Sequence, residues 1–144
     1  MIILTPEQLS EIEDAANAAY PKESCGLLIG QQHSKNSQTV TRVAVSPNKT
    51  ENDTRDSFEI DPQLRFDIMR ELKDTSEDIV GHFHSHPNGP AHPSARDLEQ
   101  AWEPALIWVI TSIKDGTVGE TAAFRYDEKE RQFSNFEIEI AVGH

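Results

Sequence analysis

The chain has 144 residues, enough for one domain with its own hydrophobic core. Its 13 Lys and Arg stand against 25 Asp and Glu, a formal net charge of −12, which argues against nucleic acid and against an anionic membrane surface. A single cysteine, Cys25, rules out an internal disulfide framework, and no apolar run approaches the roughly 20 residues of a membrane span.

The apolar start, Met1-Ile2-Ile3-Leu4, is too short for the core of a secretion signal and has no basic flank, so a cytoplasmic protein is expected. Thr5-Pro6-Glu7-Gln8 predicts a helix start: Thr5 caps, Pro6 suits the first turn and Gln8 closes a capping box. Leu9, Ile12, Ala16 and Ala19 recur on one face of that helix, and Pro21 ends it. Glu23 to Gly30 contains the apolar run of a strand buried on both faces. Gln31 to Ser37 reads as polar loop. Val43 and Val45 alternate in a further strand that ends at Pro47-Asn48. Residues 49–57 are a charged connection, and Phe58 and Ile60 give a short strand.

Asp61-Pro62 opens a second helix with Leu64, Ile68 and Leu72 inward. Ile79 to His84 is again strand-like. Ser94 opens a short third helix with Leu98, Ala101 and Trp102 as packing residues. Ala105 to Ile110 is the strongest buried-strand signal, and Lys114-Asp115-Gly116 is a turn. Thr121–Tyr126 and Phe133–Ile140 read as a closing hairpin, with Phe136, Ile138 and Ile140 alternating against Glu137 and Glu139. The sum is an α/β fold: a single mixed domain over 1–144, with a central sheet and about three helices.

Four of the six histidines fall between Gly81 and Asp97. His84 and His86 are two apart, so on an extended chain both side chains project to one side. Ten residues then lead to Asp97, and they include Pro87, Gly89, Pro90 and Pro93, which suit a stiff turn. Catalytic zinc takes three ligands from His and carboxylate and leaves a position for water. His84, His86 and Asp97 are such a set. A lone His-x-His is more often a pair of plain strand histidines, and Asp97 alone would be an ordinary acidic residue in a first helical turn. Together with the Pro/Gly turn they point to a metal. His82 reads as a partly exposed structural residue, His92 as solvated in its proline-bracketed loop, and His33 and His144 as polar or terminal. Cys25, inside an apolar run, reads as a buried inert thiol. No His-Glu-x-x-His, no Pro-Cys-x-x-Cys and no cysteine pair offers a competing site. Ser94 has two compatible readings: the cap of the third helix, or a hydroxyl donor near the metal.

His84-Ser85-His86-Pro87, six residues, then Ser94-Ala95-Arg96-Asp97, resembles the signature of the JAMM (MPN+) zinc metalloproteases. Glu23-Ser24-Cys25-Gly26-Leu27-Leu28-Ile29-Gly30 is similar to that family's glutamate-bearing strand, and the two blocks stand in the family's order. The resemblance implies Zn2+ on His84, His86 and Asp97, Glu23 as general base and proton shuttle, and Ser94 on the oxyanion. It implies a curved mixed sheet flanked by helices, cytidine-deaminase-like. It also implies hydrolysis of the peptide or isopeptide bond after the C-terminal Gly-Gly of a ubiquitin-like protein or sulfur carrier. Nothing in the local spacing brings Glu23 to His84. The chain departs from the pattern at His82, where a larger aromatic or apolar residue is frequent. Its short Ser112–Glu120 segment favours a stand-alone processing protease over a chain-selective deubiquitinase. The alternative is a non-catalytic module in which zinc staples a surface for a ubiquitin-like partner. Glu23 counts against it, because a structural site needs no base and has four closed ligands.

Overall fold

A computed structural model describes residues 1–101 and 103–141. In chain order the elements are β1 (Ile2–Leu4), α1 (Pro6–Ala19), β2 (Cys25–Ser34), β3 (Ser37–Ser46), α2 (Pro62–Leu72), β4 (Asp78–Pro87), α3 (Ala95–Glu99), β5 (Ile107–Lys114), β6 (Thr117–Asp127), β7 (Gln132–Phe136) and β8 (Ile138–Ile140). The strands form one mixed sheet in the order β7-β6-β5-β4-β2-β3-β1-β8. The two outer strands are consecutive in sequence, separated only by Glu137, so the sheet must curl until its ends nearly meet. Glu137 marks the crossing: its carbonyl accepts from Ile2 N–H at 2.8 Å, and β8 then runs parallel to β1. This is the α/β class and curved mixed sheet expected.

The inner face gathers side chains from most of the sheet against α1. Ile12 and Ala15 meet Leu28, Val40, Val80, Phe83, Ile107, Val109, Ala123 and Phe136. The helix begins where its residues dictate. Thr5 Oγ1 accepts from Gln8 N–H, and Gln8 Oε1 accepts from Thr5 N–H. The same Gln8 amide donates to Val40 O at 2.9 Å, so the cap also ties α1 to β3. On the opposite face α2 sets Ile68 on Leu27, Ile29 and Ala44, and beside it Cys25, Phe58, Trp108, Ile110 and Phe124 form an aromatic cluster.

One irregularity decides which face β4 presents. Leu28 is in register with Gly81 but Ile29 with Ile79, so Val80 is an extra residue in β4, a β-bulge. Strict alternation from Val80 would send His82, His84 and His86 to the inner face. After the bulge Phe83 takes that face, beside Val80, and the histidines go to the face of α2 and α3.

The structure corrects several boundaries. Gln31–Ser34 and Ser37 belong to hairpin arms rather than loop, paired beyond the core, where exposed strand residues are polar. Phe58 and Ile60 form no strand; only an isolated bridge joins Ile60 to Asn48. β1 was not legible, since three residues carry no periodicity. The alternation over Phe136–Ile140 belongs to two strands on different neighbours. Leu98 is 42% exposed and does not pack inward. Ala101 does pack against the aromatic cluster; Trp102 lies outside the described residues, as does His144. Among the described residues no helix is long and apolar enough to cross a membrane.

Candidate metal centre

Glu23 is brought to the histidines by strand register. In the β2–β4 pair Cys25 stands opposite His84. The ladder then continues through side chains: Ser85 Oγ accepts from Ser24 N–H at 2.8 Å and from Ser24 Oγ at 3.0 Å, while Ser85 N–H donates to Ser24 O at 3.2 Å. One residue further, Glu23 faces His86. Its backbone is clamped by Thr54 O, which accepts from Glu23 N–H at 2.6 Å, and by Asn48 Nδ2, which donates to Glu23 O at 3.3 Å. The carboxyl is buried, 4% exposed, and its Oε1 has no hydrogen-bond partner. Burial pushes its pKa up to about 8, Asp97 and Asp56 add to the rise, and His86 and Arg96 oppose it.

The two imidazoles are oriented by different means. His84, fully buried, is stacked on Phe58 at 4.3 Å between centroids and set edge-on to Trp108 at 5.6 Å. His86 donates from Nδ1 to Pro90 O at 2.9 Å, which fixes the tautomer and leaves its Nε2 lone pair toward His84. The Pro/Gly turn therefore supplies a carbonyl as well as stiffness. Asp97 arrives from the third position of α3. Its Oδ2 accepts from Ser94 N–H at 2.8 Å, and Ser94 Oγ accepts from Asp97 N–H at 3.1 Å, a complete capping box.

These elements converge. His84 Nε2 and His86 Nε2 are 3.0 Å apart, and Asp97 carboxylate oxygens lie 3.3 Å and 3.1 Å from them. Four-coordinate binding at zinc–nitrogen and zinc–oxygen lengths puts neighbouring ligand atoms about 3.3 Å apart. The donor set thus fits a divalent cation, with one oriented lone pair from His86 and a carboxylate to offset charge. Glu23 brings a carboxylate oxygen into a group with the two histidines, all within 4.8 Å of one another. The electrostatics agree. Burial alone would raise Asp97, but hydrogen bonds from His84 and His86 hold it well below the usual carboxylate range. Burial lowers His84. Burial also pulls on His86, but Asp97, the Pro90 carbonyl and Glu23 outweigh it, so His86 keeps a proton more readily than usual.

All five residues singled out from the sequence lie in this one region. His82 does not join them. It is 9% exposed rather than partly open, packed on Trp108 at 4.4 Å, and burial, then His84, pushes its pKa down to about 3. His92 is exposed as expected but stacks on Phe124 at 5.4 Å. Cys25 is fully buried, its thiol pushed up to about 12 chiefly by burial, in keeping with an inert group. Sequence reasoning missed Ser24, Ser85, Phe58 and Pro90. The two serines carried a signal, each adjacent to a residue already chosen; Phe58 and Pro90 act through space and carried none.

The family described as prokaryotic homologues of the JAB domain matches residues 5–126. The chain belongs to this prokaryotic JAB (JAMM/MPN) family. A desampylase of Haloferax volcanii is 32% identical over 107 residues, covering 72% of this chain and 72% of that protein. A CysO-cysteine peptidase of Mycobacterium tuberculosis is 25% identical over 128 residues, covering 87% and 82%. The solution structure of a protein from Desulfitobacterium hafniense superposes with a TM-score of 0.84 at 30% identity, over 98% of this chain and 93% of that one. The JAB match begins at the cap of α1 and includes Glu23, both histidines, Ser94 and Asp97.

Proposed function

We propose that this JAB-family chain is a zinc peptidase or isopeptidase, acting after the C-terminal Gly-Gly of a ubiquitin-like protein or sulfur carrier. The observation that carries the reading is the convergence of His84 Nε2, His86 Nε2 and an Asp97 oxygen within 3.3 Å, beside the Glu23 carboxyl, whose buried Oε1 has no hydrogen-bond partner. Peptidase relatives named desampylase and CysO-cysteine peptidase support the substrate class.

His84, His86 and Asp97 would hold the cation. When bound, it supplies the positive charge that acidifies water and polarises the scissile carbonyl. Glu23 takes the proton of the attacking water on its carboxylate and delivers it to the departing amine. Its buried, partnerless Oε1 suits this exchange, since no competing hydrogen bond ties it down. Ser94 Oγ accepts from Asp97 N–H, so its own hydrogen remains to be donated to the carbonyl oxygen as charge builds there. The aromatic packing around His84 keeps water from that side of the ring.

The tail reaches the centre through a cleft of about 540 Å3 lined by Phe58, Ile60, His82 and Trp108, which meets the ligands at the Phe58–His84 stack. Pro62 and Arg65 of α2 line its mouth, and the same helix exposes Phe66 (55%) and Met69 (56%) one turn apart. That apolar pair is a seat for the folded body that precedes the tail.

The test is metal analysis paired with cleavage of ubiquitin-like proteins extended past Gly-Gly. Zinc-loaded protein should cut them, and a Gly-Gly to Ala-Ala substrate should be cut far more slowly. Equal cleavage of both, or full activity in metal-free protein, would overturn the reading.

A further inference from the structure

A second groove, of about 590 Å3, meets the same centre from another side. Pro90, His92, Glu120, Ala122, Phe136 and Ile138 are among its walls, and it shares no lining residue with the tail cleft. The tail cleft touches the centre through Phe58 on His84; this groove touches it through Pro90, whose carbonyl holds His86. A substrate whose scissile bond lies at the cation is divided between the two.

One wall of the groove is an unfinished sheet edge. β7 pairs with β6 only from Asp127↔Gln132 to Ala123↔Phe136, and the chain then leaves at Glu137 to join β1. β5 continues on the other side of β6 as far as Thr117. Residues of β6 before Ala123 therefore have no neighbouring strand on the groove side among the described residues. Their direction follows from Ser112. Its Oγ accepts from Glu120 N–H at 3.0 Å and donates to Glu120 O at 3.3 Å, so both main-chain groups of Glu120 face β5. Strand alternation then turns the N–H and C=O of Thr121 outward, in series with those of Ala123, which is in register with Phe136, and the bulge that sets Gly119 and Glu120 opposite Ser112 ends the run. An edge of this kind is a template for an added strand.

We propose that this edge binds the main chain of the substrate on the leaving side of the scissile bond, as a strand continuing the line of β7. The assignment rests on the peptidase reading above: the exposed apolar face of α2 places the folded body and tail at the other cleft, which leaves this groove for the residues released. Thr121 offers an outward N–H and an outward C=O, and an extension of about three to four residues is needed to reach both. The small walls at Ala91 and Ala122 admit an extended chain.

The test uses the metal-loaded enzyme and linear fusions carrying one, two or four residues after Gly-Gly. From one residue to four, kcat/KM should rise about tenfold, the worth of two main-chain hydrogen bonds. N-methylation of alternate amides in the four-residue extension should abolish the rise in one alternation and spare it in the other. Thr121→Pro removes the outward amide at an edge where proline is tolerated and should flatten the length dependence. Thr121→Val keeps that amide and should keep the rise, and because it loses the hydroxyl contact to Thr111 it controls for a purely structural effect. Equal rates for all lengths and all methylation patterns, in an enzyme that cuts every fusion, overturn the strand site while the peptidase reading stands. Failure to cut any fusion overturns both.

Discussion

At the scale of single residues, the proposed mechanism gives Glu23 the proton transfer and Ser85 the placement of Glu23. Glu23→Gln should keep the cation and lose turnover by about 10²- to 10⁴-fold, measured by metal content and single-turnover cleavage. Its ionisation also predicts a stability signature. In metal-free protein the folded-state pKa of about 8 lies above the ordinary 4.5, so the folded chain holds a proton that the unfolded chain releases. Stability from this group is present below about pH 4.5 and is lost as pH rises toward 8. Thermal melts of the metal-free protein should show that loss, and Glu23→Gln should flatten it. Ser85→Ala would leave the buried Ser24 N–H without its acceptor, a cost of about 1–3 kcal/mol, and should lower turnover by letting Glu23 drift. Wild-type turnover with Ser85→Ala would show that the backbone ladder alone places Glu23.

At the scale of elements, α3 is a five-residue helix whose capping box is also the mount of Asp97. Ser94→Ala should cost about 1 kcal/mol of stability by loss of the cap. It should also weaken metal binding by about 10- to 100-fold, because Asp97 loses the group that orients its turn. Ser94→Thr, which can cap, should recover metal affinity, read by competition with a chromophoric chelator. The elements that were legible in the sequence are those with a local cause. Thr5-Pro6-Glu7-Gln8 and Asp61-Pro62 capped helices because caps are made within four residues. The grouping of His84, His86 and Asp97 was legible because the histidines share a strand face and Asp97 follows a stiff turn. What was not legible depended on partners distant in sequence. The approach of Glu23 needs the β2–β4 register, β1 exists only through its neighbours β3 and β8, and His82 is buried by Trp108 and the aromatic cluster.

At the scale of the whole molecule, the candidate metal centre lies at the edge of a core that does not need it. The contacts of α1 with the inner face and of α2 with Leu27, Ile29 and Ala44 involve none of the proposed ligands. Chelation should therefore leave a folded protein with a lower Tm, and zinc should restore both Tm and cleavage. The gain should grow with free metal, by about 4 kcal/mol at a thousandfold excess over Kd. A chain that unfolds on chelation and refolds only with zinc would mark the cation as a structural staple instead.

The extra residue at Val80 carries a consequence for how such chains change over evolutionary time. A strand has a parity, and the bulge inverts it once, immediately upstream of the signature. Deleting Val80 would be harmless to the site, because Ile79 and Gly81 already stand opposite the neighbours Ile29 and Leu28, and the histidines would keep their face. A one-residue slip that irons out the bulge with Val80 retained would do the opposite. Phe83 and Ser85 would turn toward α2 and α3, while His84 and His86 would turn into the greasy interior. Every letter of the motif would survive, yet the candidate cation site would be gone. A descendant could thus lose the site by a change of register that leaves the signature intact. For chains of this architecture, the phase of the strand is as much a heritable character as the histidines themselves.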